Sequence, residues 1–316
     1  MKLNDTTAVK LNRKKQLSRE IWQNRYLLLM LLPGLAYFII FKYIPMFGLT
    51  MAFQDYSLKE GILGSQWVGL GQFKSLFSGA DFPLVLKNTI VISLLKLVFG
   101  FPTPVILALM FNELREGPYK KITQTISYIP HFFSWVVMGA MLTSLLSPST
   151  GIINAIIQMF GMKPIYFIAD PKYFVGVLVV SDIWKEAGWN SVVYIAALSG
   201  INYEMHEAAI IDGASRLKRI LYINLPSILP TVAIMLILKM GGVLEAGFDQ
   251  IFNLYNVAVY DVADIIDTYT YRMGIGQYQY SYSAAAGMFK SVIGLILVLI
   301  TNGLVRKMSD NEVSVF

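Results

Sequence analysis

Charged residues interrupt two consecutive segments of this chain that are otherwise apolar. Over residues 174–198, Asp182, Glu186, Trp189 and Val193 are spaced i, i+4, i+7 and i+11, one face of a helix. Over 225–248, Lys239, Gly242, Ala246 and the following Asp249 share a helical face at i, i+3, i+7 and i+10, with Glu245 at the edge of the face and Phe248 beside it. Charge in an apolar span is costly, so by default it faces a bundle interior or a water-filled path. One chemistry that fits is carbohydrate binding. Hydroxyls take donors and acceptors from Asp182, Glu186, Lys239 and Glu245, while sugar ring faces stack on Trp184, Trp189 or Tyr194. The other reading is structural: Lys239 pairs with Glu186 or Glu245, or these charges pair with a second subunit. Lys42, Lys96 and Lys290 are set aside as near span ends or able to snorkel.

Catalytic chemistry is poorly served. There is no cysteine, and His131 and His206 are the only histidines, which excludes disulfides, thiolate or His-rich metal sites and thiol catalysis. No HExxH, GxSxG or Cys/His constellation occurs, so an enzyme is not expected. A G-x-x-x-x-G-K-[ST] phosphate loop is also missing, and with it any nucleotide site in this chain.

The elements that must position these residues belong in lipid. Of 316 residues, 55% are apolar and 15% charged, with a mean hydropathy of +0.56; soluble domains carry roughly 25% charged residues. A membrane helix needs about 20 apolar residues. Six segments qualify: 26–49, 89–111, 126–146, 174–198, 225–248 and 284–305. The first is too long for a signal peptide and lacks a small-residue cleavage site, so it is read as a retained span. Residues 1–25 form a polar amino-terminal arm, 26–306 the membrane domain and 307–316 a tail. Pro102 and Pro104 interrupt the second span and Pro130 the third, while Pro226 and Pro230 open the fifth, whose end is loosened by Gly241, Gly242 and Gly247.

Basic residues set the orientation. Lys2, Lys10, Arg13, Lys14, Lys15, Arg19 and Arg25 precede the first span; Arg115, Lys120 and Lys121, then Arg216, Lys218 and Arg219, then Arg306 and Lys307 lie on the same side. The opposite loops, though longer, carry fewer, among them Lys59, Lys74, Lys163, Lys172 and Arg272. The positive-inside rule puts both termini in the cytoplasm. The net charge of +6 is thus explained without a nucleic-acid partner.

Between spans four and five lies an amphipathic stretch, residues 202–222. Ala208, Ala209, Ile211, Ala214 and Leu217 fall at helical spacing, Glu207 is expected near the helix start, and Gly213 permits a sharp turn. Its face is small and alanine-rich, unlike a lipid-surface helix with bulky anchors, and suits a groove in another protein.

The run Glu207-Ala208-Ala209-Ile210-Ile211-Asp212-Gly213-Ala214, followed by Ile223-Asn224-Leu225-Pro226 and Pro230, resembles the EAA loop of binding-protein-dependent sugar permeases of ATP-binding-cassette (ABC) importers. Trp67-Val68-Gly69-Leu70, Phe73, Leu76-Phe77, Phe82 and Asn88-Thr89 resemble the family's outer segment. Trp184-Lys185 and Gly188-Trp189-Asn190 resemble the fourth span of its polysaccharide subgroup. The resemblance implies an all-α, polytopic protein with six transmembrane helices and the type I ABC importer permease fold, in a bacterial cytoplasmic membrane. It implies a second homologous permease, two ATPase subunits that hold ATP and Mg²⁺, and an extracellular solute-binding protein that delivers an oligosaccharide. Glu207, Ala208, Ala209, Asp212, Gly213, Ala214, Arg216 and Pro226 are then the ATPase-coupling residues. Asp182, Trp184, Glu186, Trp189, Lys239, Glu245 and Phe248 line the solute path, since sugar contacts in maltose-type relatives come from the same part of these helices. The alternative is an ion-coupled secondary sugar transporter using Asp182, Glu186 or Glu245. Such carriers show internal repeats and matched broken helices, which this sequence lacks.

Overall fold

The computed structural model describes residues 22–308; most of the arm over 1–25 and residues 309–316 of the tail lie outside them. In chain order the principal helices are α1 (Arg25–Phe53), α2 (Asp81–Glu113), α3 (Pro118–Phe132), α4 (Trp135–Leu145), α5 (Pro171–Ser199), α6 (Tyr203–Ile211), α7 (Arg216–Gly241), α8 (Phe248–Leu254), α9 (Ile266–Tyr271) and α10 (Tyr280–Lys307). Strand pairing among the described residues is one two-residue antiparallel ladder, Gln54 with Trp67 and Asp55 with Gln66. The all-α expectation holds.

Helices α1, α2, α7 and α10 are long and apolar enough to cross a membrane, with mean hydropathy from 2.0 to 2.1. Helix α5 has 29 residues, ample for a hydrocarbon core of about 30 Å, but carries Asp182, Lys185 and Glu186 at its centre. Helices α3 and α4 form the sixth element, and here the span expected over 126–146, with Pro130 interrupting it, is corrected to two helices at a sharp angle. The two helices meet at 106°. Pro130 has no amide hydrogen to donate, and Phe133 and Ser134 are extended. Ser134 then restarts the helix, its Oγ accepting the Val137 N–H. The freed carbonyl of His131 is taken by Lys185 Nζ at 2.8 Å, so a residue of α5 satisfies the break in its neighbour.

The fifth span is also corrected. Helix α7 runs unbroken from Arg216, ahead of the expected start, and ends at Gly241, short of residue 248. Its prolines are tolerated because a π turn over Ile220–Asn224 precedes Pro226, while Ser227 Oγ donates to the Ile223 carbonyl.

Three buried clusters tie the bundle together. Ile92, Leu142, Phe174, Leu178, Ile251 and Ile265 join α2, α4, α5 and α8. Phe82, Val85, Ile266, Tyr269 and Ala286 join α2, α9 and α10, and Val105, Ala108, Tyr194, Leu198 and Ile228 join α2, α5 and α7. Helix α5 lies against the end of α3 so closely that a Cβ on Gly188 would stand 1.9 Å from the Ser127 carbonyl oxygen. Gly188→Ala is expected to cost on the order of 3 kcal/mol, the upper range for overpacking, because the obstacle is backbone. Gly176→Ala, in the same helix with nothing within 4 Å, should cost nothing. Thermal denaturation of the two variants in detergent checks the contrast.

Candidate functional site

Beyond Gly241 the chain does not continue as a helix. A short 3₁₀ turn over Val243–Glu245 leads to Ala246 at φ 50° and Gly247 at φ 94°, and α8 starts at Phe248. The face expected to hold Lys239, Gly242, Ala246 and Asp249 therefore does not exist as a helical stripe. The turn instead folds these residues around a cavity of about 350 Å³, lined by Lys239, Glu245, Phe248 and Asp249. Asp182 of α5, Lys96 of α2, Trp135 of α4, Asp267 of α9 and Lys290 of α10 complete it. Asp182, Lys239, Glu245 and Phe248, chosen from sequence, do converge there.

Lys96 and Lys290 were set aside and lie at the centre. Helix α2 begins at Asp81, eight residues before the expected span, so Lys96 falls at its middle. A helix extended back through Asn88 and Phe82 was the signal that could have revealed it. Lys96 is buried and contacts Asp182 Oδ1 at 3.1 Å and the side-chain oxygen of Gln250. Gln250 Nε2 in turn donates to the Leu178 carbonyl and Ser181 Oγ, both at 2.8 Å. Gly247 makes room for this knot, since a Cβ there would stand 2.6 Å from Lys96 Nζ. Lys290 Nζ binds Asp267 at 2.6 and 2.8 Å, joining α10 to α9. Among the described residues Lys239, Glu245 and Asp249 have no side-chain hydrogen bond or ion pair.

A second cavity of about 150 Å³ shares Lys96, Asp182 and Lys239 and adds Glu186, Asn190 and Tyr194. Glu186 is paired, though not with Lys239: Lys185 Nζ and His131 Nδ1 each lie 2.8 Å from its oxygens. The two tryptophans are not brought in. Trp189 stacks on His131, ring centroids 4.8 Å apart and planes 2° apart, over the end of α3. Trp184 follows Asp182 by two residues, about 200° around the helix. It lines a separate apolar groove with Leu142, Ile153, Phe167 and Val180.

At the other end of α5 and α7 the segment over 202–222 forms a helix, a turn and the start of α7. Asn202 caps α6 by accepting the Glu204 N–H at 3.0 Å. Glu204, not Glu207, occupies the first turn; Glu207 sits mid-helix with its side chain exposed. At the exit the Ala214 N–H reaches the Ala209 carbonyl at 2.8 Å and the Gly213 N–H reaches that of Ile210 at 3.0 Å. Gly213, at φ 75°, supplies the left-handed residue this Schellman closure needs. Ser215 caps α7. Ala208, Asp212, Gly213, Arg216 and Pro226 are exposed, and Ala209 and Ala214 partly so. Ile211 is 85% exposed, and Leu217 and Tyr222 stand beside it uncovered.

Apolar helices around a charged cavity, with an uncovered helix-turn joining the two helices that bring Asp182 and Lys239 to it, fit a polytopic transport subunit. A family model described as binding-protein-dependent transport system inner membrane component matches residues 100–310, and the chain belongs to that family: it is a multi-pass permease of an ABC sugar importer, not an enzyme. The polygalacturonan/rhamnogalacturonan transport system permease protein YteP of Bacillus subtilis (strain 168) is 44% identical over 309 residues, covering 98% of this chain and 96% of the relative. A crystal structure of a bacterial ABC transporter involved in the import of the acidic polysaccharide alginate matches with a TM-score of 0.86 and 41% identity, covering 92% of this chain and 99% of that one. The bacterial alginate transporter in complex with its alginate pentasaccharide-bound periplasmic protein matches with a TM-score of 0.87 and 41% identity, covering 95% and 100%.

Removing one member of the Lys96–Asp182 pair leaves the other charge uncompensated in a largely buried position. Lys96→Met or Asp182→Asn is expected to destabilise by about 3 kcal/mol, and the double variant Lys96→Met/Asp182→Leu by less than either. Melting temperatures of the three variants in detergent read the order directly.

Proposed function

We propose that this permease pairs with a second, similar subunit to form the path for a uronate-containing oligosaccharide, with two ATPases docked on the α6–α7 turn. The observation that carries the substrate reading is Lys239. Three ammonium groups reach the cavity; Asp182 neutralises Lys96 and Asp267 neutralises Lys290, while Lys239 has no partner among the described residues. A cation in a span needs an anion or water, and a sugar carboxylate supplies the first. Glu245 and Asp249, also unpaired, are acceptors for sugar hydroxyls. The polygalacturonan/rhamnogalacturonan and alginate systems named for two relatives agree with an acidic cargo.

The docking reading rests on the turn. A short helix with exposed Glu207, Ala208 and Asp212, flanked by uncovered Ile211 and Leu217, fits a groove in a soluble partner. ATP and Mg²⁺ belong on that partner, and the basic-residue distribution puts this end and both termini in the cytoplasm. An extracellular solute-binding protein delivers the saccharide at the opposite mouth. Alternating access follows when ATPase closure displaces α6, because α5 and α7 run from the turn to Asp182 and Lys239.

Proteoliposomes holding both permeases, the ATPases and the loaded binding protein test both parts. Gly213→Pro and Glu207→Lys are expected to abolish ATP-dependent uptake without altering saccharide binding by the external protein; normal uptake by either refutes the docking. Lys239→Met is expected to lower uptake of oligogalacturonate about tenfold more than that of a neutral oligosaccharide, a difference of about 1.4 kcal/mol. Equal losses for the two sugars would remove the acidic-cargo assignment.

A further inference from the structure

The cavity beside Lys239 is small for its proposed cargo. Its volume of about 350 Å³ lies at the lower end of small-molecule sites, roughly 300–1,000 Å³. A longer oligosaccharide must extend past it. One lining residue, Phe248, is also the first ring of a continuous aromatic run that leaves the cavity.

Phe248 and Phe252, one turn apart on α8, have centroids 5.3 Å apart and planes within 24°. Tyr271, at the end of α9, meets Phe252 at 5.1 Å and Phe248 at 5.7 Å. The run continues from Phe252 to Tyr255 at 6.0 Å and from Tyr255 to Tyr260 at 5.0 Å. The opposite face of α8 is fixed in the core by Ile251 and Leu254, which holds Phe248 and Phe252 in place, and Tyr255 itself packs against that cluster and is half-buried. Phe252 remains 40% exposed and Tyr271 45%, whereas Tyr269, nearby on α9, is buried. At the far end Arg272 is clamped by Asp264 and lies over Tyr260 at 5.4 Å. The hydrogen bonds that Arg272 donates to Asp264 raise the Arg272 pKa further above its ordinary value, so its charge is fixed and already neutralised.

We propose that Phe248, Phe252, Tyr255, Tyr260 and Tyr271 form a stacking track for the pyranose rings of an oligosaccharide, leading from the segment 253–282 into the charged cavity. The proposal rests on the sugar-import reading above and extends it to residues outside the cavity. Aromatic faces carry partial negative charge and attract the apolar C–H faces of sugar rings. Such contacts are individually weak and indifferent to the pattern of hydroxyls. That suits a path along which cargo must bind well enough to enter yet leave at each step. The charges in the cavity then select, and the rings conduct.

A track outside the cavity acts only on chains long enough to reach it. With saturating loaded binding protein, Phe252→Ala and Tyr271→Ala are expected to slow uptake of galacturonate pentasaccharide about fivefold and to leave the disaccharide within twofold of wild type. Phe252→Tyr and Tyr271→Phe, which keep the ring, should retain pentasaccharide uptake, and all complexes should elute intact on size exclusion. Equal loss at both lengths, or none at either, would overturn the track. Failure of the alanine variants to assemble would overturn it in favour of packing against the second permease. Wild-type proteoliposomes that import neither saccharide would refute the cargo reading itself, and the track with it.

Discussion

The Lys96–Asp182 contact is the constraint on which the middle of this protein depends. It joins α2 to α5, and through Gln250 it also holds the turn where α7 gives way to α8. Three elements distant in sequence meet at one buried ammonium. Burying it costs several kcal/mol unless it is paired, so each partner must stay in position for the site to be stable at all. The left-handed backbone at Ala246 and Gly247 follows from the same demand. The chain must turn sharply there to bring Gln250 to Lys96, and a side chain at 247 would occupy the space of the ammonium. Such strain persists only where surrounding contacts over-determine it.

Much of this was legible in the residues alone, for identifiable reasons. Apolar runs are properties of single segments and need no tertiary information. The turn at Gly213 was likewise local: a glycine between two helical patterns has few other uses, and the Schellman bonds to Ala209 and Ile210 follow from it. The break between α3 and α4 was legible only as Pro130. Its angle depends on Lys185 reaching across from α5 to the His131 carbonyl, a contact that no local pattern encodes.

The cavity was half legible for the same reason. Helical periodicity found Asp182 and Lys239 but assumed that α7 continued through Gly242, and the glycines ended it there. Periodicity also enrolled Trp189, which shares the face of Glu186 but is engaged by His131 of another helix. Lys96 and Lys290 were misplaced because a hydropathy window trims the polar ends of a helix and shifts its apparent centre. Asp81–Asn88 is helical because its apolar side, Phe82 and Val85, packs on Ile266 and Ala286.

Continuity and breakage are distributed along these helices in a way that suits transmission. Helix α5 runs without a break for its 29 residues, and α7 passes through two prolines without a sharp bend, from Arg216 to Gly241. Glycines stand at their ends: Gly213 at the proposed docking turn, and Gly241, Gly242 and Gly247 at the cavity. On the proposed docking, a displacement of α6 would be carried along α5 and α7 to the cavity where Lys239, Glu245 and Asp249 sit. Asn224, inside α7, has both side-chain polar atoms buried without a partner among the described residues. Leaving such groups unpaired costs about 1–3 kcal/mol, which makes this arrangement of α7 less than fully satisfied. The unpaired Asn224 thus lies at the base of the helix that links the proposed docking turn to the cavity.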